Sequence, residues 1–249
     1  MEKKEKIIAQ AFVFAIGAII CCIIMVGGFL YYKKNAQNTI VATGSYEVNF
    51  ESDLIVWRGS FKAKRDTAMR AYEKIKQDKE VVQKYLNDNG VNNTEVVFSS
   101  IDISELYNSI YDENGNYKGT EQTGYQLSQD ITITSNDIAK IESVSRDIST
   151  LLEQDVEFLS YKPEYYCTTL SDIKLDLIDK ATENAKTRID IMAKQTGASI
   201  TKLKSSKLGI FQITARNTGT ASYGSDGYID TSSKSKTATI TVRLEYAIE

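Results

Sequence analysis

The residues best placed for chemistry in this chain are oxygen ligands. Asp112, Asn114 and Asn116 alternate within the stretch Asp112-Glu113-Asn114-Gly115-Asn116-Tyr117-Lys118-Gly119, matching the first three ligand positions of a calcium loop. The match then fails. The sixth position is Tyr117 where such a loop needs glycine, and the twelfth is Thr123 where it needs a bidentate glutamate. The stretch reads as a hairpin tip. Asp172, Asp176 and Asp179 fall close together, but the i, i+4 spacing of the first two describes a solvated helix face better than an acid–base pair. Histidine is absent, which removes Ser-His-Asp and Cys-His nucleophile systems and His-ligated zinc. Cys21 and Cys22 lie in an apolar run, so Cys167 is the only cysteine in the rest of the chain. It reads as an inert, partly buried thiol, with intermolecular pairing as the sharper alternative. Ser222-Tyr223-Gly224-Ser225-Asp226-Gly227-Tyr228 sets tyrosines among small residues, as adaptable binding loops do. It reads as a hairpin connection, with partner or subunit contact as the alternative. Asn92-Asn93-Thr94 spells a glycosylation acceptor, meaningful only in a eukaryotic secretory context. No GxGxxG or Walker loop occurs. No catalytic, cofactor-binding or metal-binding residue is assigned, and no cofactor is implied.

The elements that must position these residues follow from periodicity. Tyr46, Val48 and Phe50 alternate with polar residues, Glu51-Ser52-Asp53 makes a turn, and Ile55, Trp57, Phe61 and Ala63 resume the alternation, which predicts a hairpin. Asp66 is placed to cap a helix whose apolar stripe is Ala68, Ala71, Ile75, Val82 and Leu86, ending at Asn89-Gly90. A somewhat irregular strand covers 91–107, and Tyr125, Leu127, Ile131 and Ile133 make another. Ser135 can cap a second helix with Ile138, Ile141, Ile148, Leu151 and Leu152 on one face, followed by a short strand through Val156, Phe158 and Tyr161. A third helix runs from Ser171 to a stop at Gly197, with Ile173, Leu177, Ala181, Ala185, Ile189 and Met192 facing one way. One strand is expected over 200–215, a Ser-, Gly- and Thr-rich connection over 216–235, and a last strand presenting Ala238, Ile240, Val242, Leu244, Tyr246 and Ile248 on one face. The order predicts an α+β fold of largely antiparallel sheet with three helices, and permits two sheet-and-helix lobes.

Ahead of this domain stands a different kind of segment. Positions 7–30 form an apolar run with no charged residue between Lys6 and Lys33. At about 1.5 Å per residue, its roughly 24 residues make about 36 Å of helix, enough to cross a hydrocarbon core of about 30 Å with some tilt. A cleaved signal peptide has a shorter apolar region followed by small residues; here Tyr31-Tyr32-Lys33-Lys34 follows, a flank suited to a membrane interface. Ile19-Ile20 precede Cys21 where a lipid-anchor site needs small residues. The expected organisation is a tail over 1–6, a transmembrane anchor over 7–32, a tether over 33–39 and an extracytoplasmic domain over 40–249, with the N-terminus cytoplasmic. Residues 1–35 hold five lysines and two glutamates against totals of 30 basic and 33 acidic residues, which leaves the domain near −6. A mildly acidic domain argues against a nucleic-acid partner, which calls for a basic face.

Val41-Ala42-Thr43-Gly44 followed by a hairpin, a helix closing on Leu86 to Gly90, the strand opening Gly124-Tyr125-Gln126-Leu127-Ser128-Gln129, the helix end Ala193-Lys194-Gln195-Thr196-Gly197 and the final strand Ile240 to Tyr246 together resemble the SIMPL-domain family of exported bacterial proteins of the oxidative-stress-defence type. The resemblance spans nearly all of 40–249. The chain departs from the family pattern in carrying Gln126 where an arginine-like residue is usual, and in its few prolines. The resemblance implies an α+β extracytoplasmic domain, often oligomeric and tied to envelope or oxidative stress, and it implies no catalytic residues. The leading expectation is a membrane-anchored domain that acts by self-assembly or by binding an envelope protein. The competing one is a carboxylate- or metal-dependent enzyme. A sensor signalling through the membrane helix is disfavoured by the six residues preceding the run.

Overall fold

In the computed structural model the backbone is described for residues 2–35, 38–216 and 228–249, and the side chains of 2–14, 32, 34, 35 and 228 fall outside that description. The charge-free run lies within one continuous helix, α1 (Glu2–Asn35). Every side chain from Ala15 to Tyr31 is exposed. Among the described residues, no helix is long and apolar enough to cross a membrane. Residues 7–14 of the run are outside the described side chains, so the expected span over 7–32 is only partly covered.

The rest of the chain is α+β. It forms two compact units that are discontinuous in sequence, one of Met1–Tyr46, Ile178–Gly209 and Thr241–Glu249, the other of Glu47–Leu177 and Ile210–Ile240. In the larger unit the strand β2 (Leu54–Arg65) is central. On one side it pairs antiparallel with β4 (Tyr117–Ser135), from Ile55↔Ser135 to Arg65↔Tyr125, and β4 pairs in turn with β3 (Val96–Tyr111). On its other side lie two short strands in line, β5 (Glu157–Ser160) and β6 (Glu164–Tyr166). Pro163 stands between them; having no N–H it cannot join a ladder, and the edge breaks there.

Two helices, α2 (Ala68–Asp88) and α3 (Ile138–Asp147), bury apolar stripes in the same core as the inward residues of this sheet. Trp57 and Phe61 are fully buried there. The indole N–H of Trp57 donates to Ser160 Oγ at 3.1 Å, and that hydroxyl donates on to Ser145 O at 3.2 Å. The ring therefore brings no unpaired donor into the core. Each helix is capped one or two residues later than the pattern suggests. Thr67, not Asp66, accepts from Arg70 N, while Asp66 pairs with the Arg70 guanidinium at 2.6 Å. Asp137, not Ser135, caps α3; the Ser135 hydroxyl bonds Glu95. Leu152, expected on the buried face, is 61% exposed because the helix tightens to a 3-10 turn over Ile148–Gln154. That change of pitch rotates it off the stripe.

The expected hairpin over 46–63 does not form. The strand β1 (Thr39–Glu51) joins a different sheet, alongside β10 (Ser235–Ile248). Ser52 and Asp53 make a corner whose polar groups are met by distant segments. Ser52 N–H donates to Lys234 O at 2.9 Å, Asp53 N–H donates to Tyr166 O at 3.0 Å, and Asn136 Nδ2 donates to Asp53 O at 2.8 Å. The segment 200–215 is likewise two strands, β7 (Ile200–Leu208) and β8 (Gln212–Ala215). In the larger unit β8 pairs antiparallel with Lys236–Thr239 of β10 and parallel with β9 (Tyr228–Ile229).

In the smaller unit β7 pairs antiparallel with the later part of β10, from Val242↔Leu208 to Ile248↔Ile200. Register shifts on both sides of Tyr246 move Ala247 to the buried position. The alternation expected through Tyr246 and Ile248 breaks there. Ala181, Ala185, Ile189 and Ala193 of α4 (Leu170–Thr196) are buried. The small residues let β1 lie directly on the helix backbone: a Cβ on Gly44 would meet Ala181 O and Ala185 N at 2.3 Å.

One stripe position breaks the apolar rule. Between Ile75 and Val82 the inward residue of α2 is Asp78, 2% exposed, held by Lys74 Nζ at 2.6 Å. Lys74 also donates to Asp155 O at 2.7 Å. Burial pushes the Asp78 carboxyl above the ordinary range, opposed by the Lys74 hydrogen bond and charge. Lys74→Met should therefore cost about 3 kcal/mol at neutral pH, because it strands a buried carboxylate. The folded-state pKa then rises further above the unfolded one, so that variant gains stability as pH falls from 7 towards 5. Lys74→Met/Asp78→Leu should recover most of the loss. Urea unfolding of the full chain at two pH values measures all three.

Candidate functional site

The sequence candidates separate in space. Asp112 sits at the tip joining β3 and β4, but its Oδ1 already accepts from Asn114 N at 2.9 Å and Asn116 N at 2.8 Å, and Asn116 Nδ2 bonds Oδ2 at 3.3 Å. The carboxylate closes the turn, and these hydrogen bonds hold its pKa below the ordinary range. Asp172 lies in the first turn of α4 and is exposed, as is Asp176. Asn92, the acceptor position of the Asn-Asn-Thr stretch, is exposed, and its N–H donates to Glu95 Oε2 at 2.9 Å. Residues 222–227 of the Ser-Tyr-Gly loop lie outside the described residues. Among the described residues, no group of three or more His, Cys, Asp or Glu could hold a metal ion.

Two features of the larger unit do stand out, and neither is legible as a motif. The first is a ribbon. β2 pairs with β4 only as far as Tyr125, whereas β3 and β4 continue together to Tyr111↔Tyr117. Residues 106–111 and 117–124 thus run beyond the sheet as two strands, the longer about 27 Å at roughly 3.4 Å per residue. Tyr107, Ile110, Tyr111 and Tyr117 are between 43% and 60% exposed along it, as is Ile103 inside its base, and the Tyr111 and Tyr117 rings meet edge to face at 6.0 Å. Among the described residues the outer edge of β3 pairs with no strand; its sequence, Val96–Tyr111, contains no Lys, Arg or Pro, and its edge devices are Asp102, Glu105 and the register shifts at Phe98/Ile101, Leu106/Tyr107 and Ile110/Tyr111.

The second is a chamber of about 60 Å³ walled by Phe50, Leu170, Ile213 and Ile229, with Cys167 and Lys236 as its reactive groups. Lys236 is 3% exposed. Its Nζ donates to Tyr165 O at 2.6 Å, and among the described residues no carboxylate lies within ion-pair distance. Burial pushes the amine below the ordinary lysine range, with Asp230 and the Cys167 sulfur pulling the other way. Tyr165, half-buried against the core, donates to Glu142 Oε1 at 2.8 Å; burial and that bond push its phenol up to about 12. Cys167 is half-buried, its Sγ 3.4 Å from Thr169 Oγ1. Sequence reading found the thiol but not the lysine, because Lys236 lies in a polar Ser-Lys-Ser-Lys-Thr stretch. The one available signal is its parity: it occupies the same strand face as Ala238 and Ile240.

The Asp53 corner reaches this chamber's wall through Tyr166, whose carbonyl accepts from Asp53 N–H. Asp53 accepts from Thr168 N at 2.7 Å and Thr168 Oγ1 at 2.5 Å, and the hydroxyl and then the amide hold its carboxyl below the ordinary range. A depressed folded pKa stabilises the fold above the unfolded value of about 4, and the contribution is lost as pH falls through the folded value. Asp53→Asn should therefore be less stable than the parent by about 1–2 kcal/mol at pH 7, with the gap closing near pH 2.5. An unchanged gap in chemical unfolding at the two pH values would exclude the charge-assisted bonds as its source.

Residues 40–246 match a family model described as SIMPL, protein of unknown function (DUF541). No curated protein matches the chain.

Proposed function

The chain belongs to the SIMPL family, and on that premise we propose that it is a membrane-anchored, extracytoplasmic domain that works by assembling with copies of itself. The observation that carries this reading is the ribbon. An isolated two-stranded ribbon is marginal in water, and this one exposes Tyr107, Ile110, Tyr111 and Tyr117, on the order of 500 Å² together, beside an edge without Lys, Arg or Pro. A stable interface needs roughly 800 Å² per partner, which the main-chain edge of β3 makes up when a second β3 pairs with it antiparallel. A two-fold near Asn108 sets Glu105 across from Tyr111 and keeps the two acidic residues of each strand apart. Tyr107→Lys/Ile110→Lys touches no core residue. It should convert an oligomeric full-length protein in detergent to monomer by native mass spectrometry, with the far-ultraviolet circular dichroism unchanged. Persistence of the oligomer would remove the ribbon from the interface.

The anchor rests on the apolar run and on the exposed side chains of α1. Ile19, Ile20, Ile23, Ile24, Met25 and Phe29 are each at least half exposed, a continuous apolar surface that water does not tolerate. Lipid supplies the surroundings such a helix needs, and the Tyr31-Tyr32-Lys33-Lys34 flank suits the headgroup layer. Lys3, Lys4 and Lys6 on one flank against Lys33 and Lys34 on the other bias the N-terminal end to the cytoplasm and residues 40–249 to the outside. An impermeant maleimide added to intact bacterial cells should label Cys167, which is half-buried, and leave Cys21 and Cys22 unlabelled. Labelling only after lysis would place the domain inside. The carboxylate- or metal-dependent alternative has no convergent cluster among the described residues to rest on. A role in envelope or oxidative stress is proposed from family resemblance alone, and the ribbon is indifferent to it.

A further inference from the structure

We propose that Lys236 is a covalent capture site for short-chain aldehydes, which enter the chamber beside it and condense with its amine. Lysine is almost never fully buried unless paired with a carboxylate, yet Lys236 is 3% exposed and its one hydrogen bond among the described residues is to a neutral carbonyl, Tyr165 O. A desolvated lysine against apolar walls is the usual means of making a nucleophilic amine, because the ammonium form loses its hydration. Here the apolar walls are Phe50, Leu170, Ile213 and Ile229, beside Tyr165, Tyr166 and Thr231, and the Asp230 charge opposes the effect of burial without outweighing it. Lys236 shares the lining with Cys167. The amine is displaced downward by burial, so more of it is neutral at pH 7.5 than at a surface lysine.

The volume sets the ligand class. About 60 Å³ holds roughly four or five waters by the same measure, which admits a chain of two or three carbons and excludes an aromatic ring. In the reaction the Nζ lone pair adds to the carbonyl carbon and the C=O π pair moves to oxygen. That oxygen takes up the proton that nitrogen gives up, forming a carbinolamine. Its hydroxyl then leaves with the remaining amine proton as water, giving the imine. No oxidant or reductant is needed. The imine nitrogen has no proton, so the bond to Tyr165 O is given up on capture.

The test uses the full-length chain in detergent with acetaldehyde or benzaldehyde, each with sodium cyanoborohydride to fix the imine, followed by peptide mass spectrometry. Acetaldehyde should ethylate Lys236 at least tenfold faster than the exposed Lys62 and Lys84, and benzaldehyde should modify Lys236 at least tenfold more slowly than acetaldehyde does. Lys236→Arg should lose the fast site and leave the slow ones. Modification of Lys236 at or below the surface rate, or at equal rates by both aldehydes, overturns the proposal. These outcomes are independent of oligomeric state and membrane attachment.

Discussion

The corner at Ser52–Asp53 is the constraint on which the larger unit turns. A chain leaving one strand and entering the next would ordinarily close a hairpin, with the two strands satisfying each other's backbone groups. Here Ser52 N–H, Asp53 N–H, Asp53 O and the Asp53 carboxylate are taken by Lys234, Tyr166, Asn136 and Thr168. With those partners in place β1 is free to pair with β10 while β2 becomes the centre of the other sheet. The corner also ties together the segments that wall the chamber. Tyr166 and Thr168 bracket Cys167, and Lys234 lies two residues from Lys236.

Buried charge is handled in two ways within this unit. Asp78 is matched at contact distance by Lys74, so the pair is structural and its removal as a pair is expected to be nearly neutral. Lys236 has no carboxylate at contact distance among the described residues: the buried Asp230 acts on it through its charge alone, and its Nζ is held by a peptide oxygen at the edge of a small void. A matched charge is inert, whereas an unmatched amine is held closer to neutrality and keeps a usable lone pair. That difference, more than any motif, separates a strut from a reactive group here.

The ribbon and the chamber draw on opposite ends of the sheet's stability. Tyr165 and the chamber lie beside the fully buried stretch of β2, where Ile55, Trp57 and Phe61 fill the core. The ribbon begins where β2 stops supporting β4, at Arg65↔Tyr125. Gly124 marks the departure point. A Cβ there would meet Arg65 O at 2.4 Å, so a side-chain-bearing residue would force the end of β2 away from the ribbon's base. An apolar two-stranded arm without a third strand has its stability supplied by whatever it packs against, and in the proposed assembly that is a second β3.

Most helices and strand faces were legible in the sequence because they obey local periodicity. The buried Ala71, Ile75, Val82 and Leu86 of α2, the Ala181, Ala185 and Ile189 face of α4, and Ala238 through Leu244 of β10 all follow it. The glycine stops at Gly90 and Gly197 were legible for a stereochemical reason, since both take positive φ, +76° and +71°. Family membership was legible for the same reason, because its signals are the order and spacing of such elements. Tertiary structure alone decided the partner of β1, the inward turn of Asp78, the extension of β3 and β4 beyond their neighbours, and the burial of Lys236. Each of these depends on where distant segments end, and hydrogen-bond partners fifty to two hundred residues away leave no period in the local sequence. The apolar run at 7–30 is the reverse case: its absence of charge over about 24 residues is a property of sequence alone, and it is the sequence that carries the proposal of an anchor.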